Sequence, residues 1–256
     1  MQGDKLKNNT KIATYNIWDD DAGMPIRFQQ LLYEINSINV DIICLQEVAD
    51  CEKSDMIKYS CGYAYSHCQA EAGVSILSKY PIEKVFDYEY GISAYIHFEN
   101  KILYIINVHL PWDRMSLREK AIVDIVKKAE NVEADFTFLM GDFNSSEDSS
   151  VHRFLTNEQS LLGSDACFFD MAEVFAELTG GEKLATLNFR TNPRWGIVQP
   201  KNTIEINQRF DWILLKNPYP AEIPILKDCA IFGTEISDKT CLAASDHYGV
   251  IVEIEF

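Results

Sequence analysis

The sequence predicts an α/β chain: packed β-sheets flanked by helices, gathered in one domain. Three observations carry this. Strand-like apolar runs recur from end to end of the 256 residues, helical periodicity appears between some of them, and no repeat, low-complexity tract or long linker divides the chain. With 47% apolar residues, a sizeable core is available to such a chain.

The strand-like runs, in order, are 11–18 (KIATYNIW), 41–48 (DIICLQEV), 73–80 (GVSILSKY), 92–99 (ISAYIHFE), 101–110 (KILYIINVHL), 136–140 (FTFLM), 209–216 (RFDWILLK) and 248–256 (YGVIVEIEF). A helix is predicted over 25–38, where Ile26, Leu31, Leu32, Ile35 and Ile38 share a face. A second is predicted over 116–130 from Leu117, Ala121, Ile125 and Ala129, with Ser116 and Glu119 as a capping box. A third is predicted over 165–178 with Asp165 as N-cap, and a short one in the run SSEDSSVHRFL.

Several of the runs end on polar groups. The run KIATYN reaches Asn16, DIICLQE reaches Glu47 and ILYIINVH reaches His109. The apolar stretch 136–140 leads through Gly141 to Asp142 and Asn144. Asp211 stands at a strand start, and Asp246 and His247 precede the final strand. Each alone has a structural account: Asn16 as a turn residue, Glu47 as a solvated strand end, His109 in the core. Asp142 and Asn144 would cap a helix, Asp211 would pair with Arg209, and Asp246 with His247 would form a turn. Together they form a chemical kit. Strand ends hold polar groups at fixed separation, as catalysis requires. The oxygen donors Glu47, Asp142, Asp246, Asn16 and Asn144 suit Mg²⁺, with Mn²⁺ as the alternative, and fit Zn²⁺ poorly. A divalent cation relieves repulsion among gathered carboxylates. With amide and histidine donors beside it, such a site suits a phosphoryl group.

The charge balance is strongly acidic, with 23 basic against 39 acidic side chains and a net charge of −16. Long-range repulsion of polyanions argues against a non-specific DNA binder. The seven cysteines are odd in number and hold no C-x-x-C, so the expectation is free thiols in a reducing cytoplasm. The run MQGDKLKNNT has no apolar core of a signal peptide, and no apolar run nears the roughly 20 residues of a membrane span. A cytoplasmic monomer is expected.

The motifs TYN, LQEV, GVSILSKYPI, NVHL, GDFN, RFDWIL and SDHYGV stand in the order found in the endonuclease/exonuclease/phosphatase superfamily, which the chain resembles over nearly its whole length. The resemblance implies a deoxyribonuclease I-like four-layer sandwich, two mostly antiparallel sheets face to face with helices on both outer sides. It implies a divalent-metal phosphoesterase with its site at one edge. Glu47 is then the main metal ligand with Asn16 close by, and Asp246 lies at the same ion or a second one. Asp142 orients or deprotonates the attacking water, and Asn144 holds that water or a phosphate oxygen. His247 contacts the scissile phosphate, Asp211 fixes its ring, and His109 matches a phosphate-contacting histidine of several branches.

Two loops are expected to set selectivity. Residues 109–118 offer Trp112, Arg114 and Arg118; residues 186–209 offer Arg190, Asn192, Arg194 and Trp195. Trp and Arg beside a phosphate site stack on a base or grip a second phosphate. The leading expectation is an Mg²⁺-dependent hydrolase of a small or end-type phosphodiester. The alternatives are a DNA-processing nuclease or tyrosyl-DNA-phosphodiesterase-like end-cleaning enzyme, and a catalytically silent binding module that keeps the fold. His67, His97 and His152 receive no role.

Overall fold

The computed structural model describes residues 8–182, 184–198 and 204–256; the reading of the first seven residues, and residues 199–203 of the second loop, lie outside this description. The elements follow as β1 (Asn9–Asn16), α1 (Ile26–Ile38), β2 (Ile42–Gln46), α2 (Cys51–Ser60), β3 (Tyr65–Gln69), β4 (Val74–Ser78), β5 (Ile82–Tyr88), β6 (Gly91–Phe98) and β7 (Lys101–His109). Then come α3 (Met115–Lys128), β8 (Phe136–Asp142), α4 (Ser150–Leu155), β9 (Phe168–Asp170), α5 (Met171–Thr179), α6 (Pro193–Val198), β10 (Asp211–Lys216), β11 (Ile225–Phe232) and β12 (Gly249–Glu255).

Two six-stranded sheets result, ordered β11-β12-β1-β2-β4-β3 and β5-β6-β7-β8-β10-β9. Each is antiparallel except for one pair: β1 with β2, and β7 with β8. The four-layer sandwich expected from the sequence is the architecture observed. Ile12, Ile42, Cys44, Val74 and Ile76 from one sheet meet Ile92, Ile105, Phe138 and Met140 from the other in the middle layer. Ala13, Tyr15, Ile43 and Leu45 face outward onto Leu31 and Ile35 of α1 and Ile57 of α2. On the far side Ile106, Leu139 and Trp212 pack on Ile122 and Ile125 of α3 and Phe154 of α4. Central strands buried on both faces explain why β2 and β8 read as near-continuous apolar runs.

The departures from expectation are local. The helix over the second periodic run starts at Met115, with Arg114 as an N-cap that makes no side-chain cap bond. Glu119 instead accepts from Ser150 Oγ at 2.5 Å, so no capping box forms. The predicted 165–178 helix is split: Phe168–Asp170 pair with β10, and α5 begins only at Met171. Its N-cap is Asp170, not Asp165; Oδ1 accepts from Ala172 N and Glu173 N. Helix α2 went unread because it buries only Ser54 and Ile57 and has no apolar stripe. Edge strand β5 is exposed at five consecutive positions, and β11 carries a bulge between Leu226 and Asp228, so neither alternates cleanly. The free-thiol expectation also fails in part. Cys51 at the start of α2 and Cys68 in β3 form a disulfide with Cα atoms 5.7 Å apart, while Cys44 is a buried free thiol. Among the described residues, no helix is long and apolar enough to cross a membrane.

Candidate active site

The two parallel strand pairs point their C-terminal ends at one edge of the sandwich. Asn16 is in register with Gln46 at the tip of β1 and β2, and His109 with Asp142 at the tip of β7 and β8. Asp142 also faces Asp211, the first residue of β10. The β7–β8 tip is tight: a Cβ added at Gly141, which has φ +139, would lie 2.0 Å from Val108 O. Beyond the tips the backbone turns through positive φ at Trp18, Glu47 and Asn144.

The side chains converge. The Nδ2 amide of Asn16 donates both to Glu47 Oε1 at 2.9 Å and to Asp142 Oδ2 at 3.0 Å. One nitrogen thus joins a carboxylate of each sheet. The Oδ1 of Asn16 accepts from Trp18 N, so its NH₂ faces the acids and its oxygen does not. Asp19 N donates to Glu47 Oε2 at 2.9 Å, and Asn144 N to Asp142 Oδ1 at 2.8 Å. The Asn144 side chain is turned to Leu110 O at 2.9 Å. His109 Nε2 stands 4.0 Å from Asp142 Oδ2. His247 Nδ1 lies 2.9 Å from Asp211 Oδ2, while Asp211 Oδ1 is buried without a partner. Asp142, Asp211 and His247 bring their ligand atoms within 4.8 Å of one another. Arg209 does not pair with Asp211; it forks onto Asp170 and Glu147, and Asp170 also meets His152 at 3.0 Å.

Crowded acids perturb one another. Burial, then the Asp211 charge, push the Asp142 carboxyl above its ordinary range, against the pull of His247 and His109. Burial pushes Asp246 up to about 6, with Glu47 adding to it and His247 and Arg194 opposing. Burial works against charge on His247, yet Asp211, Asp142 and Asp246 raise it well above its usual value, which favours the imidazolium. Burial would raise Glu47 too, but the Asn16 amide, Asp19 N–H and the two histidines carry it below its ordinary value.

A family model described as the Endonuclease/Exonuclease/phosphatase family matches residues 13–247. The chain belongs to that family. Among curated proteins, this family member resembles a probable CCR4-Not complex 3'-5'-exoribonuclease subunit Ccr4 of Vairimorpha ceranae, at 25% identity over 197 residues. That match takes in 57% of this chain and 41% of the relative, so the chain spans well under half of the relative's length. Among solved structures it superposes on D. rerio TDP2 complexed with a single-strand DNA product, with a TM-score of 0.76, 18% identity and coverage of 98% and 100% of the two chains. It also matches a protein of the same family from Leptotrichia buccalis, with a TM-score of 0.70, 17% identity and coverage of 96% and 100%. At these identities the likeness to solved structures is one of fold. The family is one of phosphoester hydrolases, and the acidic centre lies within the matched residues.

In this family member the rim residues separate into distinct kinds. Trp112 is 79% exposed, and Arg114 leans on Asp113 at 3.4 Å. Arg118 donates to Pro111 O and Trp112 O, fixing the turn after His109. Asn192 is buried and committed to Ser245 O at 2.9 Å and Arg194 N at 3.1 Å. Trp195 Nε1 donates to Asp246 O at 2.9 Å. Arg190 is exposed on the turn that Asn188 Oδ1 caps.

Four supporting residues escaped the sequence reading. Gln46 Nε2 donates to Asn107 Oδ1 at 2.7 Å, and Asn107 Nδ2 donates back to Leu45 O and Ser75 O, each at 2.9 Å. This fully buried pair ties the sheets together beneath the site. Arg27, 1% exposed, donates to the carbonyls of Ile17, Trp18, Asp20, Ala22 and Ala244, joining the loop after β1 to the segment before Asp246. Ser245 Oγ donates to Asn16 O at 2.6 Å and accepts from His247 N. The signal for Gln46 and Asn107 was present: each is a polar residue inside an otherwise apolar run.

Proposed function

We propose that the chain, as one catalytic domain, is a divalent-metal-dependent phosphodiesterase that cleaves a small or end-type phosphodiester by in-line attack of water. The observation that carries this is the single Asn16 amide shared by Glu47 of one sheet and Asp142 of the other, with His247 and Asp211 alongside.

The residues fit a hard cation. Four carboxylates crowd the site, two of them with raised pKa, and Asp211 Oδ1 is buried without a partner. Oxygen donors of this kind match Mg²⁺ or Mn²⁺. Glu47 and Asp246 would hold the ion, with Asn16 steering Glu47. A bound ion supplies Lewis-acid polarisation of a phosphate oxygen. Asp142, its basicity raised by burial, orients water and receives its proton, while Asn144 N–H fixes the carboxylate rotamer. His247 gives Nδ1 to Asp211, which leaves Nε2–H as a donor to the phosphate oxygens; His109 supplies a second donor.

A single-stranded nucleic-acid end is the favoured substrate class. The curated relative is named for exoribonuclease action, and the TDP2 structure carries a single-strand DNA product. The net charge of −16 disfavours a long duplex. A second reading, an end-cleaning enzyme of the tyrosyl-DNA phosphodiesterase kind, is supported by the whole-chain likeness to TDP2.

Bis-p-nitrophenyl phosphate should turn over with Mg²⁺, stop with EDTA and stop in Asp142→Ala. Near wild-type activity in that variant sinks the assignment of Asp142. A panel of single-stranded oligonucleotides, 5′-tyrosyl oligonucleotides and duplex DNA then separates the two substrate readings.

A further inference from the structure

The chain has seven arginines, and six of them have partners. Arg27 is bonded to carbonyls, Arg209 to Asp170 and Glu147, Arg114 to Asp113, Arg118 to Pro111 and Trp112, and Arg153 to Gln159 and Asp148; Arg190 is also engaged. Among the described residues, the guanidinium of Arg194 alone has neither hydrogen bond nor ion pair, and its Nε is buried without a partner.

Two indoles hold it instead. Its Cζ lies 5.1 Å from the ring centre of Trp18 and 5.6 Å from that of Trp195. Both rings are anchored to the site. Trp18 N bonds Asn16 Oδ1, Trp195 Nε1 bonds Asp246 O, and the backbone of Arg194 is held through Asn192 to Ser245. A cation–π contact orients a guanidinium yet uses none of its five N–H donors. Trp18 also carries Arg27 at 4.3 Å, so cations already occupy this indole and base stacking there is disfavoured.

The position is a flank and not the centre. Trp195, on which Arg194 stacks, bonds Asp246 O, so the guanidinium sits on the Asp246 side of the site, where its charge, after that of His247, acts on Asp246. An oriented guanidinium with free donors is built for bidentate contact with a phosphate.

We propose that Arg194, stacked on Trp18 and Trp195, binds a second phosphate of the substrate, next to the scissile phosphodiester. The favoured substrate therefore carries at least two phosphates, as a phosphorylated dinucleotide does. This rests on the phosphodiesterase reading above and narrows its substrate.

The test compares kcat/KM with Mg²⁺ for thymidine dinucleotides bearing a 5′-phosphate, a 3′-phosphate or neither. Wild type should favour one phosphorylated form over the bare dinucleotide by roughly tenfold or more. In Arg194→Met that ratio should collapse towards one, and Arg194→Lys should keep part of it, with thermal midpoints showing that both variants are folded. No preference in wild type, or a ratio that survives in Arg194→Met, overturns the proposal. If wild type turns over bis-p-nitrophenyl phosphate without such a preference, only this inference falls. If it cannot turn over that ester with any divalent metal, the parent reading falls and takes this one with it.

Discussion

His247 presents Nδ1 to Asp211 Oδ2 at 2.9 Å, and both residues are buried. The aspartate both fixes the ring and sustains its charge against burial. Replacing Asp211 by Asn removes that charge. The rate should fall by about a hundredfold or more, as expected when a proton donor loses its orienting partner. The sign of the pH effect follows from the raised imidazolium pKa: activity that needs the protonated ring persists to alkaline pH in wild type. In Asp211→Asn the alkaline limb should move to lower pH. A pH–rate profile checks it, and an unmoved limb removes His247 from the titration.

The Gln46–Asn107 bridge should show coupling. Asn107→Leu leaves the Gln46 amide and the carbonyls of Leu45 and Ser75 short of a partner, at a cost of about 1–3 kcal/mol. Adding Gln46→Leu should cost less than the same change made alone, because the bond it breaks is already gone. A double-mutant cycle in urea should return a coupling of about 0.5 kcal/mol or more. Simple additivity would mean the bridge is energetically idle.

Asp170 makes an acid-stability prediction away from the site. Burial alone would raise its carboxyl, but Arg209 and His152 hold it at about 2 against an ordinary 3.8. Its ionised form is therefore the one folding favours. The contribution, about 2 kcal/mol, is complete above pH about 4 and is lost as pH falls through about 2. The stability gap between wild type and Asp170→Asn should be widest near neutrality and narrow across that acid window in denaturation series.

The Cys51–Cys68 bridge closes a loop of sequence separation 17. Removing it by dithiothreitol, or by Cys51→Ser with Cys68→Ser, should cost about 3 kcal/mol. Calorimetry reads this as a lower midpoint. A midpoint indifferent to reductant would show that the two thiols are not bonded in solution.

Much of this geometry was legible in the residues themselves. Asn16, Glu47, His109 and Asp142 stand at the ends of largely apolar runs, where strands buried on both faces give way to polar groups. Helices α1 and α3 announced themselves by periodicity. Helix α2 and strands β5 and β11 did not, because they bury too little of either face to leave a pattern. Asp170 as N-cap was hidden for a different reason: Phe168 and Phe169 fit a helix or a strand equally well, and only pairing with β10 decides. The roles of Arg27 and Ser245 depend on carbonyls brought from distant segments, which no local pattern contains.

Strand β1 lies between β2, which follows shortly after it, and β12, which pairs Asn9 with Glu255. During synthesis β1 must therefore wait until Gly249–Glu255 has emerged before its second neighbour exists. The segment bearing Asp246 and His247 arrives only with that neighbour. Nascent or prematurely terminated chains thus lack the pair, and the open flank of β1 makes them natural clients for chaperones.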